Sequence, residues 1–275
     1  INQDGWIQVD RGVLGTTAVS HNNPSDVLLV NTANMVLPTG TVTPTDLSSF
    51  TDTLEDQNVT IYKHASYDPV LTIDTASIDM GGLTIPAGSA VNHEAGIAFT
   101  VTGDVDVTGV YTGGTGVPTF GSISIHNGGV FNASTDTTTI TSRTGGSGTY
   151  AFDNNGTFTH NKGTVLITTA ASVTSMGIDS SLYNLTISGD SKKIRENTTI
   201  NNNLTLTSGD LYSHNGSETL TVLGRTTLNG GTTGQAVAFT GTMNWGDITV
   251  NSGTLKLSSG TNNCNSLRNL GGTIN

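Results

Sequence analysis

Proline is absent from the last 157 residues of this 275-residue chain, cysteine occurs once, and only 11% of residues are charged. Each scarcity excludes something. A single cysteine, Cys264, rules out an intramolecular disulfide framework and a multi-thiolate metal site. Asn263 and Asn265 beside it suggest a turn, and no cation adjoins it to favour the thiolate, so it reads as a small half-buried side chain without a role. No apolar run approaches the roughly 20 residues that a membrane-spanning helix needs, and no signal-peptide pattern opens the chain. The only basic cluster, Lys192, Lys193 and Arg195, is followed at once by Glu196 in a chain of net charge −11, which argues against nucleic acid as a partner.

Charge and proline divide the chain at the same point. Residues 1–118 hold all six prolines, with 13 acidic and 2 basic side chains, whereas residues 119–275 hold 8 of each charge. Proline cannot donate a ladder hydrogen bond and is confined to edges and bends, so its absence from the second part suits continuous strand stacking. The chain begins at Ile1, as a processed or partial product would, and its last residues, Asn269 to Asn275, stop within the same local pattern without a polar cap. More chain is expected beyond either end.

What is abundant is threonine, glycine, asparagine and serine. Threonine is β-branched and suits strands, while glycine and asparagine supply the backbone angles of tight turns. They are arranged in a recurring phrase, apolar-Thr-apolar: Leu71-Thr72-Ile73, Leu83-Thr84-Ile85, Phe99-Thr100-Val101, Leu185-Thr186-Ile187, Leu204-Thr205-Leu206, Leu220-Thr221-Val222 and Ile248-Thr249-Val250. A repeat of short alternating strands separated by turns marks an array in which each unit buries its apolar side against its neighbours. Isoleucine, leucine, valine and phenylalanine are expected to face inward and the intervening threonines outward. Successive phrases begin 12 (Leu71 to Leu83), 19 (Leu185 to Leu204), 16 (Leu204 to Leu220) and 28 (Leu220 to Ile248) residues apart, so the coils are expected to be irregular. That irregularity argues against a flat ice-binding threonine face.

The stretch Leu182-Tyr183-Asn184-Leu185-Thr186-Ile187-Ser188-Gly189, continued from Asn201-Asn202-Asn203-Leu204-Thr205-Leu206 to Gly209-Asp210-Leu211, resembles repeats of right-handed parallel β-helix proteins. Such repeats occur in bacterial surface adhesins and in virion fibre and structural proteins of tailed, particularly marine, bacteriophages. The likeness covers residues 120–275 well and 58–119 loosely. It implies an all-β, right-handed parallel β-helix with irregular coils over residues 58–275, most regular from about residue 119. Residues 1–57 are expected to form an N-terminal docking or capping region, with one candidate helix over residues 45–56, where Leu47, Phe50 and Leu54 fall at helical spacing.

The same likeness implies a non-enzymatic virion fibre or surface component, located on the virion or extracellularly. It also implies a homo-oligomer, on the pattern of trimeric fibres, that contacts other virion or surface proteins and a cell-surface glycan. The alternatives are a bacterial adhesin and a polysaccharide-cleaving tailspike. Fold alone does not choose among them.

Chemistry is sparse. Asp104 and Asp106, spaced i, i+2, would share one strand face, as an acid/base pair or cation site requires, although an exposed polar face is the simpler reading. The four glutamates, Glu55, Glu94, Glu196 and Glu218, form no carboxylate constellation, and the six histidines, His21, His64, His93, His126, His160 and His214, show no metal-ligand spacing. The Gly-Gly-x-Gly-x-Asp repeat of calcium-binding β-rolls is absent. Tyr111, Tyr150, Tyr183, Tyr212 and Trp245 are platforms for sugar stacking only if exposed, and aromatic residues of solenoids more often pack on the core. No catalytic, cofactor or metal residue is therefore assigned, and no cofactor is expected.

Overall fold

The structure is a computed structural model. It describes the strands Leu29–Val30, Asn34–Leu37, Thr41–Val42, Asn58–Ile61, Val70–Ile73 and Thr174–Ile178, together with residues 78–142, 150–168, 181–233 and 241–275. The candidate helix over residues 45–56 lies outside these. Among the described residues every regular element is a β-strand, and the chain winds into a parallel β-solenoid of about 9 turns.

Each turn contributes three strands, one to each face. Ala90–His93, Val110–Thr112, Val130–Asn132 and Thr157–Thr159 stack on the first face, which continues through the bridge of Leu182 to Ile200 into Leu220–Val222 and Met243–Trp245. The second face carries the apolar-Thr-apolar phrase of Phe99–Val101, Pro118–Phe120 and so on to Ile248–Val250. The third holds Asn58–Ile61, Gly82–Ile85, the second half of Ala98–Val107, and their successors. Parallel pairing is found on both sides of residue 57, because Asn34–Leu37 joins Asn58–Ile61.

Register shows what the spacing of the phrases measured. Val101, Phe120, Ile140, Ile167, Ile187, Leu206, Leu228 and Val250 form one inward column, giving successive turns of 19, 20, 27, 20, 19, 22 and 22 residues. Leu185 does pair with Leu204, one turn later. Leu204, however, pairs with Thr226, and Leu220 with Met243, so the intervals of 16 and 28 run between different faces. Leu71 and Leu83 are likewise on different faces, pairing with Val91 and Val105. The coils vary in length, with one long turn between Ile140 and Ile167, but by less than the phrase spacing suggested.

The core is a set of such columns. Ile187, Leu206, Leu228 and Val250 are fully buried. On the first face Tyr111 stacks on Phe131 with centroids 4.5 Å apart, Phe131 stacks on Phe158 at 6.0 Å, and Phe120 meets Tyr111 edge-on at 5.6 Å. In-register stacking of like side chains at the rung spacing of about 4.8 Å is what lets one short phrase, repeated, build a continuous apolar interior.

Glycine shapes the corner between the second and third faces. A Cβ on Gly103 would stand 2.2 Å from the Gly81 carbonyl oxygen, and one on Gly121 would stand 2.3 Å from that of Thr102. Only a residue without a side chain lets successive turns approach so closely there.

Candidate functional site

The outward side of the third face is a column of short polar side chains, because alternation sends Val105, Val107, Ile123 and Ile125 inward and their neighbours out. Asp104 and Asp106 leave Ala98–Val107 on this side, both half-buried, about 6.6 Å apart along the strand by its rise per residue. Their expected placement on one face is what the structure shows. Ser122, the register partner of Asp104 one turn later, donates from Oγ to Asp104 Oδ1 at 2.5 Å. His126 Nε2 lies 3.3 Å from Asp106 Oδ1, with the two side chains 53% and 42% exposed. So exposed a pair is largely screened by water and holds geometry more than it adds stability.

The glycine corner makes this column one wall of a groove. About 450 Å³ of space is lined by Asn58, Thr60, Thr84, Asp104, Asp106 and Ser142, together with Gly81, Gly82 and Gly103. Carboxylates accept hydrogen bonds, and hydroxyls and amides both donate and accept, so the lining suits a polyhydroxy ligand. Sequence inspection found the two aspartates because both lie on one strand. It missed Asn58 and Thr60, which line the groove from a neighbouring turn, and Ser122 and His126, which hold the two aspartates from the next turn, because register alone brings them there. A second groove of about 440 Å³ sits over Asn203, Thr205, Leu223, Arg225, Thr227 and Asp247.

Other residues singled out from sequence are placed differently. His93 points inward beside Tyr111 while Glu94 is exposed, as adjacent strand residues must. Its Nε2 is 2.7 Å from the Ile97 carbonyl, which can only accept, so Nε2 carries the proton and Nδ1 accepts from the Tyr111 hydroxyl at 3.2 Å. Burial lowers its pKa below the usual histidine value. Tyr111, Tyr212 and Trp245 are buried and offer no sugar platform. Tyr150 and Tyr183 are half-buried; the Arg195 guanidinium covers the Tyr150 ring at 4.8 Å, and His160 lies 5.4 Å from Tyr183.

The basic cluster divides by strand alternation. Lys192 is buried, with Nζ donating to the Asp190 carbonyl, while Lys193 faces outward over the Tyr212 ring at 5.6 Å. Cys264 lies within the strand Asn262–Asn269 and is exposed, not half-buried at a turn. The mistaken turn came from its asparagine neighbours, which here serve the strand: Asn263 donates to Asn244 on the preceding turn at 2.8 Å.

The threonine face also revises an expectation. Thr100, Thr119, Thr139, Thr186, Thr205, Thr227 and Thr249 stand in one register column, so unequal phrase spacing was no obstacle to a regular array. Leu166 interrupts that column, and Arg225 and Asp247 flank it, so no uniform uncharged lattice results.

No group of three or more histidine, cysteine, aspartate or glutamate side chains among the described residues is placed to hold a metal ion. No helix among them is long and apolar enough to cross a membrane. Compared with protein families, curated proteins and solved structures, the chain finds no match. The β-helix part of the resemblance is carried by the coils themselves.

Proposed function

We propose that this chain is a non-enzymatic extracellular structural or attachment protein, a fibre or surface component of a bacteriophage virion. The observation that carries the reading is the parallel stack of three-stranded turns, in which the inward column from Val101 to Val250 is apolar and buried at every turn. Such a stack is a stiff, quasi-one-dimensional body that extends by repetition and sets a distal surface away from its point of attachment. In this reading the N-terminal region, part of the acidic first 118 residues, docks to other virion proteins, the subunits associate as homo-oligomers, and the polar third face meets a cell-surface glycan. A bacterial adhesin would use the same body on a cell.

Mass spectrometry of intact particles and of host cell envelopes tests the placement. The peptide Lys193–Arg225 region is expected among virion proteins; its recovery only from the cell envelope would replace the virion reading with the adhesin.

One observation favours a second reading, a polysaccharide-cleaving tailspike. Asp104 and Asp106 leave one strand face and line the same groove, as the paired carboxylates of a glycosidase do. Against it, Ser122 and His126 already engage these carboxylates, and no second pair stands across the groove among its lining residues. Incubation with host polysaccharide is expected to release no oligosaccharide. Release that disappears on Asp106→Asn would establish the tailspike instead.

A further inference from the structure

Four asparagines precede glycine: Asn127-Gly128, Asn155-Gly156, Asn215-Gly216 and Asn229-Gly230. In this dipeptide the following backbone nitrogen meets the least steric obstruction on its way to the asparagine carboxamide, because glycine lacks Cβ. Sequence gives all four the same intrinsic reactivity. The fold does not leave them equal.

Three are held. Asn155 Nδ2 donates to Asp153 at 3.3 Å, and the Gly156 N–H donates to Asn154 Oδ1 at 3.1 Å. The Gly216 N–H donates to Ser213 Oγ at 2.7 Å, both residues buried, in a loop where the exposed Asn215 has its N–H bound to Glu218. Asn229 lies within the strand Leu220–Thr233, and its Oδ1 accepts from Asn251 at 2.7 Å. In each case either the nucleophilic nitrogen or the carboxamide must first break a hydrogen bond.

Asn127 is different. It occupies the second position of a turn closed by Gly129 N–H donating to the His126 carbonyl at 2.8 Å, with Gly128 in the left-handed region at φ +86°, a type II turn. Both residues are exposed, a Cβ on Gly128 would meet nothing within 4 Å, and neither the Asn127 carboxamide nor the Gly128 N–H is hydrogen-bonded among the described residues.

We propose that Asn127 is a site of spontaneous deamidation in the folded protein. The Gly128 nitrogen attacks Asn127 Cγ, forming the N–Cγ bond of a five-membered succinimide, while the Cγ–Nδ2 bond breaks and Nδ2 leaves as ammonia, taking up the Gly128 proton. Water then opens the ring at either carbonyl, giving aspartate or isoaspartate. Either product adds a negative charge next to His126, the partner of Asp106. Isoaspartate also inserts a methylene into the backbone, lengthening the turn that holds Gly129 to His126 and Val130 to Gly109.

The test is peptide mapping by mass spectrometry, with isoaspartyl methyltransferase as the probe for isoaspartate, after incubation at mildly alkaline pH. Deamidation at Asn127 is expected to run at least several-fold faster than at Asn155, Asn215 and Asn229 in the folded protein, with the four rates converging in urea. Asn127→Gln should remove the earliest acidic form while leaving the other three rates unchanged. Equal rates in the folded protein would overturn the proposal. So would persistence of that acidic form in Asn127→Gln, or protection of the other three sites that survives denaturation.

Discussion

Lys192 occupies an inward position that strand alternation would give to a valine or leucine, between Thr174 and Leu211 in adjoining turns. Burial pulls its pKa down to about 8, with the nearby Asp190 charge opposing the shift. A lysine whose folded pKa lies below its unfolded value binds less proton when folded, so stability rises with pH between about 8 and the unfolded value near 10.5. Lys192→Met, which keeps the apolar stem and removes the buried charge, is expected to be more stable than the parent in urea at pH 7. The difference should narrow as pH climbs above 8. His93 produces the complementary acid limb. Its folded pKa is lowered by burial, so stability is lost as pH falls below the ordinary value of 6.5. His93→Gln, which retains a donor and an acceptor, is expected to flatten the fall in urea midpoint between pH 7 and pH 5, and an unchanged slope would remove His93 as its origin.

At the scale of the element, the bend in Ala98–Val107 matters most, since it turns one strand from the threonine face into the wall of the aspartate groove. Gly103 sits at that bend against the Gly81–Gly82 backbone of the preceding turn, so Gly103→Ala forces a backbone shift. A loss of about 1–3 kcal/mol is expected from chemical denaturation, in the range of overpacking changes. Gly128→Ala, with open space around it, meets no such obstruction and suffers only the backbone penalty of its φ of +86°. Strand existence and the inward set were legible from the phrase alone, because the period of two fixes which side chains share a face. The turn lengths were not, because three faces carry similar phrases and nothing local tells Leu204 from Leu220.

For the whole molecule, a solenoid distributes stability over neighbour contacts, so damage should stay near its source. Ile187→Ala in the fully buried column is expected to cost about 2–5 kcal/mol. Hydrogen exchange should rise first in Thr164–Ile167 and Leu204–Leu206, the strands paired on either side, and last in Val110–Thr112. Uniform acceleration along the chain would mean that the body unfolds as one cooperative unit. The groove belongs to this scale too: its lining comes from several turns, Asn58 and Ser142 among them, brought together by winding.

The sequence by itself determined the fold class and the alternation of buried and exposed residues. Composition, the absence of late proline and a two-residue period constrain these through local sterics and burial. It also brought Asp104 and Asp106 to notice, since an i, i+2 pair needs nothing beyond its own strand to share a face. Register was decided only by the tertiary structure. It turned uneven phrases into three ordered faces, placed Ser122 and His126 against the aspartates and left Asn127 unrestrained among four like dipeptides. Those outcomes depend on which residue lies one turn away, and that distance is set by how each coil closes on its neighbour.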